Sequence, residues 1–107
     1  MIKRITVVHT RPEIDRGEAG RYWREVHGPL VARVPRLRRY VQNHCIVGVL
    51  GTADPPFLGV GEVWFDSEAD AEAATASPEW RAVLDDAATF MDMARVTAGW
   101  AEEHELT

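Results

Sequence analysis

The chain has 107 residues, 46% of them hydrophobic, and this length fits a single domain over residues 1–107. Its one cysteine excludes an internal disulfide, and no apolar run is long enough to cross a membrane. The opening residues MIKRITVVHT lack the pattern of a signal peptide. These features predict a cytoplasmic domain with no membrane partner.

Charge is unevenly distributed along the chain, whose net charge is −5. Residues 1–44 contain ten Lys/Arg and four acidic residues, whereas residues 45–107 contain two arginines and thirteen acids. The densest basic run consists of Arg33, Arg36, Arg38 and Arg39. Such a run indicates either an anion or nucleic-acid surface or a solvated turn. The acidic balance of the chain favours the turn, and we expect no nucleic-acid partner.

The first half of the chain predicts a strand followed by a long helix. Residues 2–9 alternate in the manner of a strand with apolar residues on both faces. Asp15 and Glu18 form a capping-box pattern, and apolar positions at helical spacing then continue to about residue 34. The expected buried stripe is Ala19, Tyr22, Trp23, Val26, Leu30 and Val34. Pro29 has no N–H and its ring clashes with the preceding turn, so we expect a kink or break just after His27.

The second half predicts two strands, a helical region and a final strand. The strands are expected over residues 36–48 and 58–65, with a loop over residues 48–56 between them. Residues 67–70 begin a short Ala-rich helix, which Ser77 and Pro78 restart as a second helix. The buried stripe of that helix is predicted to be Trp80, Val83, Leu84 and Ala87. The last strand is expected over residues 94–100, before an acidic tail.

This element order predicts an α+β, ferredoxin-like βαββαβ fold. In such a fold a four-stranded antiparallel sheet carries both helical regions on one face. The other sheet face is then uncovered, although several strands have apolar residues on both faces. Because an exposed apolar sheet face is unfavourable in water, we expect a second copy to cover it in a homodimer.

His27 and Tyr40 are the candidate catalytic residues. His27 follows Trp23 by four residues and flanks the apolar stripe next to the expected helix break, where a ligand could fit. It is either an acid–base group for a bound molecule or a half-buried histidine bonded to backbone. Tyr40, early in the second strand, either orients a ligand oxygen or is a core residue with its hydroxyl at the rim.

Four further residues are candidate ligand contacts. Trp23 and Trp64 are predicted to be apolar walls of a pocket between sheet and helices. Glu62 lies in an otherwise apolar strand, where a carboxylate must be paired or face a cavity; a salt bridge to an arginine is the alternative. Asn43 is a candidate, but it alternates with His44, so only one of the two can line a given pocket.

Several kinds of site are not expected. The four histidines and single cysteine show no metal-ligand spacing, and His44 and Cys45 point to opposite faces. There is no phosphate loop, dinucleotide fingerprint or nucleophile motif. We therefore expect no metal and no cofactor, and any chemistry would be proton transfer on a reactive molecule.

Three segments resemble the EthD-like family. Residues 22–31, YWREVHGPLV, resemble its helix motif; residues 34–43, VPRLRRYVQN, resemble the strand that follows. Residues 61–67, GEVWFDS, resemble its third-strand signature. The resemblance covers nearly the whole chain and implies a ferredoxin-like fold that pairs into a dimeric α/β barrel.

The resemblance also has functional implications. The family is named for its association with ethyl tert-butyl ether degradation. Similar dimeric barrels include lactone isomerases, polyketide cyclases, cofactor-independent oxygenases and haem-binding enzymes. The family's histidine corresponds to His27 and its tyrosine to Tyr40, and the lactone isomerases imply an acid–base role for the histidine. Val63 lies in the third strand here, so that strand offers no thiol for isomerase chemistry.

Three hypotheses for the function follow. The first is a metal-independent acid–base enzyme acting on an aromatic, polyketide or lactone-like compound. The second is a non-catalytic binding or accessory protein of a degradative pathway that uses the same pocket. The third is a haem-binding barrel with His27 or His44 as axial ligand.

Overall fold

Residues 1–48 and 55–107 are described by the computed structural model, and these residues form four strands and four α-helical segments. The strands are β1 (Ile2–Val8), β2 (Arg39–His44), β3 (Gly59–Phe65) and β4 (Thr97–Glu102). The helices are α1 (Arg16–Tyr22), α2 (Gly28–Val31), α3 (Glu68–Thr75) and α4 (Pro78–Phe90), with a π-helical segment at Trp23–His27 between α1 and α2.

The strands form one antiparallel sheet in the order β2–β3–β1–β4. This order confirms the predicted α+β, ferredoxin-like arrangement. Side chains alternate across the sheet, so Arg4, Thr6 and Val8 of β1 lie on the face that the helices cover, whereas Ile5 and Val7 lie on the other face. The core fills the space between sheet and helices, with one cluster around Phe65 and another around Trp23.

The capping residues predicted from the sequence begin the helices. Asp15 accepts a hydrogen bond from the backbone N–H of Glu18 at 3.1 Å, and Ser77 accepts one from Trp80 at 3.2 Å before Pro78 opens α4. Each capped helix then has an apolar side turned toward the sheet. Capping residues a few positions away therefore determine where these helices begin, whereas burial of their apolar sides determines how they pack on the sheet.

Of the kink or break predicted after His27, the break is wrong, because the helical backbone continues through Gly28 and Pro29. The N–H of Gly28 donates to the carbonyl of Trp23, five residues earlier, which is the π-helical pattern. Gln42 Nε2 donates to the same carbonyl at 2.8 Å. The wider turn relieves the clash that the Pro29 ring would have with the Glu25 carbonyl in an ideal α-helix.

The π-helical turn also changes which side chains are buried. Val26, predicted to belong to the buried stripe, is 45% exposed, and His27 is only 3% exposed. Residues 19, 23, 27 and 31 are all buried at a regular spacing of four. The extra residue in the turn therefore rotates His27 into the interior.

Strand boundaries differ from the sequence prediction at β2 and β4. β2 begins at Arg39 rather than at residue 36, because Arg36 lies in a turn with a φ of 65°. It ends at His44 rather than at residue 48, and β4 is shifted to Thr97–Glu102. Much of the loop predicted at 48–56 lies outside the described residues. In the part of the chain that is described, no helix is long and apolar enough to span a membrane.

Candidate functional site

A cavity lies between the helix-covered face of the sheet and the helices. Its volume is about 80 Å³ for the centres of water-sized molecules, against about 10–15 Å³ for one water on that measure. Its polar or aromatic lining residues are Arg4, Thr6, Trp23, His27, Tyr40 and Trp80. Aliphatic and methionine side chains supply most of the remaining wall, and the partly exposed Leu84 and Met93 belong to it. The cavity is therefore a largely apolar site with a few polar groups, as small-molecule pockets usually are.

The imidazole of His27 is held by a carboxylate on α4. Its Nδ1 lies 2.9 Å from Oδ2 of Asp86, and the two side chains are 4% and 14% exposed. The other carboxylate oxygen of Asp86 accepts a hydrogen bond from the Tyr22 hydroxyl. Because an ionised carboxylate can only accept, Nδ1 carries the proton and Nε2 is the basic nitrogen of the neutral ring.

Burial and charge act on His27 in opposite directions. Burial lowers the pKa of His27 below its ordinary value of 6.5, and the hydrogen bond and charge of Asp86 partly offset that shift. The Phe90 ring adds an apolar neighbour whose centroid lies 5.2 Å from the imidazole centroid, at an interplanar angle of 65°. His27 is thus neutral at pH 7, with a carboxylate ready to stabilise the imidazolium if the ring accepts a proton.

A line of polar groups on β2 faces the helices. Gln42 Nε2 donates to the Tyr40 hydroxyl, while Gln42 Oε1 lies 2.8 Å from Nε2 of His44. Burial raises the pKa of Tyr40, so its phenol remains protonated at neutral pH. The protonated Tyr40 accepts from Gln42 and retains its own proton, which it can donate to an oxygen in the cavity.

The structure brings together three of the six predicted site residues. Trp23, His27 and Tyr40 all line the cavity. Asn43, Glu62 and Trp64 instead lie on the sheet face away from the helices. Trp64 therefore does not form a wall opposite Trp23, contrary to the prediction, because odd and even positions of β3 point to opposite sides of the sheet.

Those three residues form a separate polar and aromatic group. Glu62 accepts from Lys3 Nζ at 2.8 Å and from Asn43 Nδ2 at 2.9 Å. The salt bridge considered for Glu62 therefore exists, but with Lys3 rather than with an arginine. The Trp64 ring lies between the cations of Lys3 and Arg39, at 5.1 and 4.6 Å from its centroid. These contacts account for the burial of Trp64 on an otherwise open face.

Sequence reasoning missed Asp86 and Arg4. Asp86 adjoins Ala87 and follows Val83 by three residues, so it borders the predicted buried stripe of α4. The position of Asp86 beside the buried stripe was the one available sign of its role, but an acidic residue exposed to solvent can occupy the same position. Arg4 lies on a strand with both faces apolar, and no local signal separates a cavity-facing arginine from a solvated one.

The residues around the cavity bear on the metal and haem hypotheses. Within residues 1–48 and 55–107, no three His, Cys, Asp or Glu side chains are grouped as metal ligands. A haem macrocycle is much larger than the cavity around His27. His44 is engaged by Gln42, and its ring packs 4.5 Å from that of Trp23. The residues present therefore do not fit a haem.

An antiparallel β2–β3–β1–β4 sheet, helices on one face and a cavity between the two layers define a small ferredoxin-like α+β protein. Residues 11–94 match the EthD domain, and the chain belongs to the EthD family. This confirms the resemblance found in the sequence.

Individual relatives agree with this assignment. An uncharacterized 11.0 kDa Rhodococcus erythropolis protein from the thcB-thcC intergenic region is 30% identical to this chain over 87 residues. The match covers 81% of this chain and 82% of that protein. The crystal structure of a Bacillus halodurans EthD family protein has a TM-score of 0.80 at 22% identity, covering 97% of this chain and 100% of that one. A dimeric ferredoxin-like protein of unknown function from Thermobifida fusca has a TM-score of 0.71 at 20% identity, covering 94% and 88%.

Proposed function

We propose that this EthD family member binds a small organic compound in the cavity and that His27 acts on it as a general acid–base. The observation that carries the proposal is the buried His27–Asp86 pair on the wall of an apolar cavity. A buried imidazole needs a hydrogen-bond partner in any role, but this one also lines the cavity, where it can reach a bound compound. A carboxylate behind an imidazole fixes its tautomer and stabilises the imidazolium, which is what proton transfer requires.

In the proposed reaction, Nε2 of His27 removes a proton from the bound compound and returns it at a different atom. Asp86 holds the ring through Nδ1 and stays ionised throughout. Tyr40 donates its phenolic proton as a hydrogen bond to an oxygen of the compound, where negative charge develops as the proton leaves. No metal is needed for this step, and the compound supplies its own reactive C–H or O–H group.

The cavity walls favour an unsaturated compound. Trp23 and Trp80 are both nearly completely buried and both line the cavity, so they offer flat apolar surfaces to a ring. An aromatic, polyketide or lactone-like compound has such a shape and an ionisable position. An isomerase, cyclase or oxygenase reaction that begins with proton abstraction fits these residues.

We also propose a homodimer that forms through the sheet face away from the helices. Ile5, Val7, Val41 and Val60 lie on this face and are only half-buried in the single chain. A second copy would cover them, and the Thermobifida fusca protein of the same fold is dimeric. The cavity lies on the opposite side of the sheet, so ligand and partner would not compete.

The test is turnover of a panel of aromatic, polyketide-like and lactone compounds, followed by product analysis. We expect His27→Ala to abolish turnover while the protein stays folded, Asp86→Asn to reduce it, and Tyr40→Phe to reduce it less. Asp85→Asn is the matched control, because Asp85 is an exposed neighbour that pairs with Arg81. Turnover that survives in His27→Ala would overturn the acid–base role.

The same panel separates the second candidate function, a non-catalytic accessory protein. That candidate is favoured by the lining of the cavity, because Val63 lies on the third strand and offers no thiol for isomerase chemistry. It predicts saturable binding, weakened by His27→Ala, with no product from any compound. Formation of product by the wild-type protein would exclude it.

A further inference from the structure

Arg4 presents its positive charge to the same cavity. It lies in the centre of β1, directly opposite Val63 on one side and Trp100 on the other, and its side chain lines the cavity. Its guanidinium donates a hydrogen bond from Nη1 to Thr6 Oγ1 at 2.8 Å. The carbon of the guanidinium lies 5.2 Å from the centre of the Trp80 ring. Among the described residues, these neighbours leave most of its five N–H donors without a protein partner.

Within residues 1–48 and 55–107, no carboxylate oxygen lies within 4.0 Å of a guanidinium nitrogen of Arg4, so Arg4 forms no ion pair there. Other arginines are paired with acids, for example Arg36 with Asp70 and Arg38 with Asp66. Burial lowers the pKa of Arg4, but a guanidinium still stays protonated at neutral pH. An unpaired, partly desolvated cation is unfavourable unless something else compensates it.

Building on the proposed function, we propose that the ligand of the cavity is a small unsaturated carboxylate whose carboxylate group binds the guanidinium of Arg4. The planar fork of a guanidinium matches a carboxylate with two parallel hydrogen bonds. The unsaturated part would then lie against Trp23 and Trp80.

The charges of the residues that line the cavity also indicate that the ligand carries a single negative charge. Arg4 is the one permanently charged side chain among the residues that line the cavity, all of which belong to the described ranges, and no acidic side chain is among them. One cation balances one carboxylate, whereas a phosphate dianion would keep an uncompensated charge among apolar walls. Met93 and Leu84 line the cavity and are partly exposed, so the cavity lies close to solvent on their side.

The experiment compares each acid with its amide of the same shape. Benzoate, phenylacetate and 2-hydroxybenzoate are titrated against benzamide, phenylacetamide and 2-hydroxybenzamide, by tryptophan fluorescence and calorimetry. For the wild-type protein we expect at least one acid to bind about tenfold or more tightly than its amide. Arg4→Met should remove this preference, Arg4→Lys should retain part of it, and Arg81→Met, on the exposed face of α4, should change nothing.

The outcomes separate the two proposals. If acids and amides bind equally well and Arg4→Met has no effect, the cavity binds ligands as proposed but the carboxylate inference is overturned. If neither acids nor amides bind, and the lactones of the wider panel bind in a manner that depends on His27, the inference fails and the proposed function stands. If Arg4→Met does not fold, the acid–amide comparison on the wild-type protein and Arg4→Lys still decide the question.

Discussion

His27 and Asp86 are 59 positions apart in the sequence, and yet Nδ1 of the first lies 2.9 Å from Oδ2 of the second. The π-helical turn rotates His27 inward, and the neighbouring helix α4 brings Asp86 up to it. Tyr22 donates to the remaining oxygen of Asp86, so the carboxylate is held from two sides. The pair therefore has a fixed geometry next to the cavity.

Removal of the Asp86 charge should lower the pKa of His27 further. Burial already lowers this pKa, and Asp86 is the group that opposes the shift. We therefore expect His27 in Asp86→Asn to titrate at a lower pH than in the wild-type protein. The measurement is an NMR titration of the imidazole C–H signals, with His27 assigned by its loss in His27→Gln. Asp85→Asn should leave the titration unchanged, and an unchanged or raised pKa in Asp86→Asn would contradict the role given to Asp86.

The stability contributed by His27 should depend on pH in a defined direction. Its folded-state pKa is below 6.5, so the unfolded chain takes up the proton first as the pH falls. The contribution is therefore complete above about pH 7 and is lost progressively below about pH 6.5. Urea unfolding of the wild type and of His27→Gln at several pH values measures it. The difference in unfolding free energy should shrink on acidification, and a difference that grows would show that the sign is wrong.

Gly59 should not tolerate a side chain. A Cβ there would overlap the carbonyl oxygen of Asn43 and lie 2.6 Å from a ring carbon of Trp23. We expect Gly59→Ala to destabilise the protein by about 3 kcal/mol, because both neighbours are held in the sheet and the core. Gly99→Ala is the matched control on another strand, since nothing lies within 4 Å of a Cβ there. Thermal unfolding of both variants should give a large loss for the first and little change for the second.

A charge on the open sheet face should separate the proposed dimer. Ile5→Glu places a carboxylate among the half-buried aliphatic side chains of the central strand, which would have to be desolvated in an interface. We expect a monomer of unchanged secondary structure by analytical ultracentrifugation and circular dichroism. Val26→Glu changes an apolar residue that is 45% exposed on the helical side and should leave the dimer intact. A wild-type protein that sediments as a monomer would contradict the proposed dimer directly.

Local patterns in the sequence account for much of the fold. The capping residues Asp15 and Ser77 mark the starts of two helices, and alternation places Asn43 and His44 on opposite faces. These features depend on neighbours a few residues away, so the sequence displays them directly. The late start of β2 at Arg39 depends on the positive φ of Arg36 in the preceding turn, a backbone conformation that arginine rarely adopts and that the sequence does not specify.

The candidate site was only half predictable for a related reason. Trp23, His27 and Tyr40 were found because aromatic and histidine side chains beside an irregular helix indicate a pocket. Asp86 and Arg4 were missed because their significance depends on which residues surround them. An acid or an arginine has the same sequence pattern whether it is solvated or faces a cavity.

The sequence by itself determined the element order, the helix caps, the division of each strand into two faces and the family. All of these follow from periodicity or from motifs a few residues long. Only the tertiary structure decided that His27 is inside and Val26 outside, that Asp86 holds the imidazole, and that Arg4 has no carboxylate within the described residues. The physical reason is that burial and charge compensation are set by contacts between distant segments, which exist only once the helices have packed on the sheet.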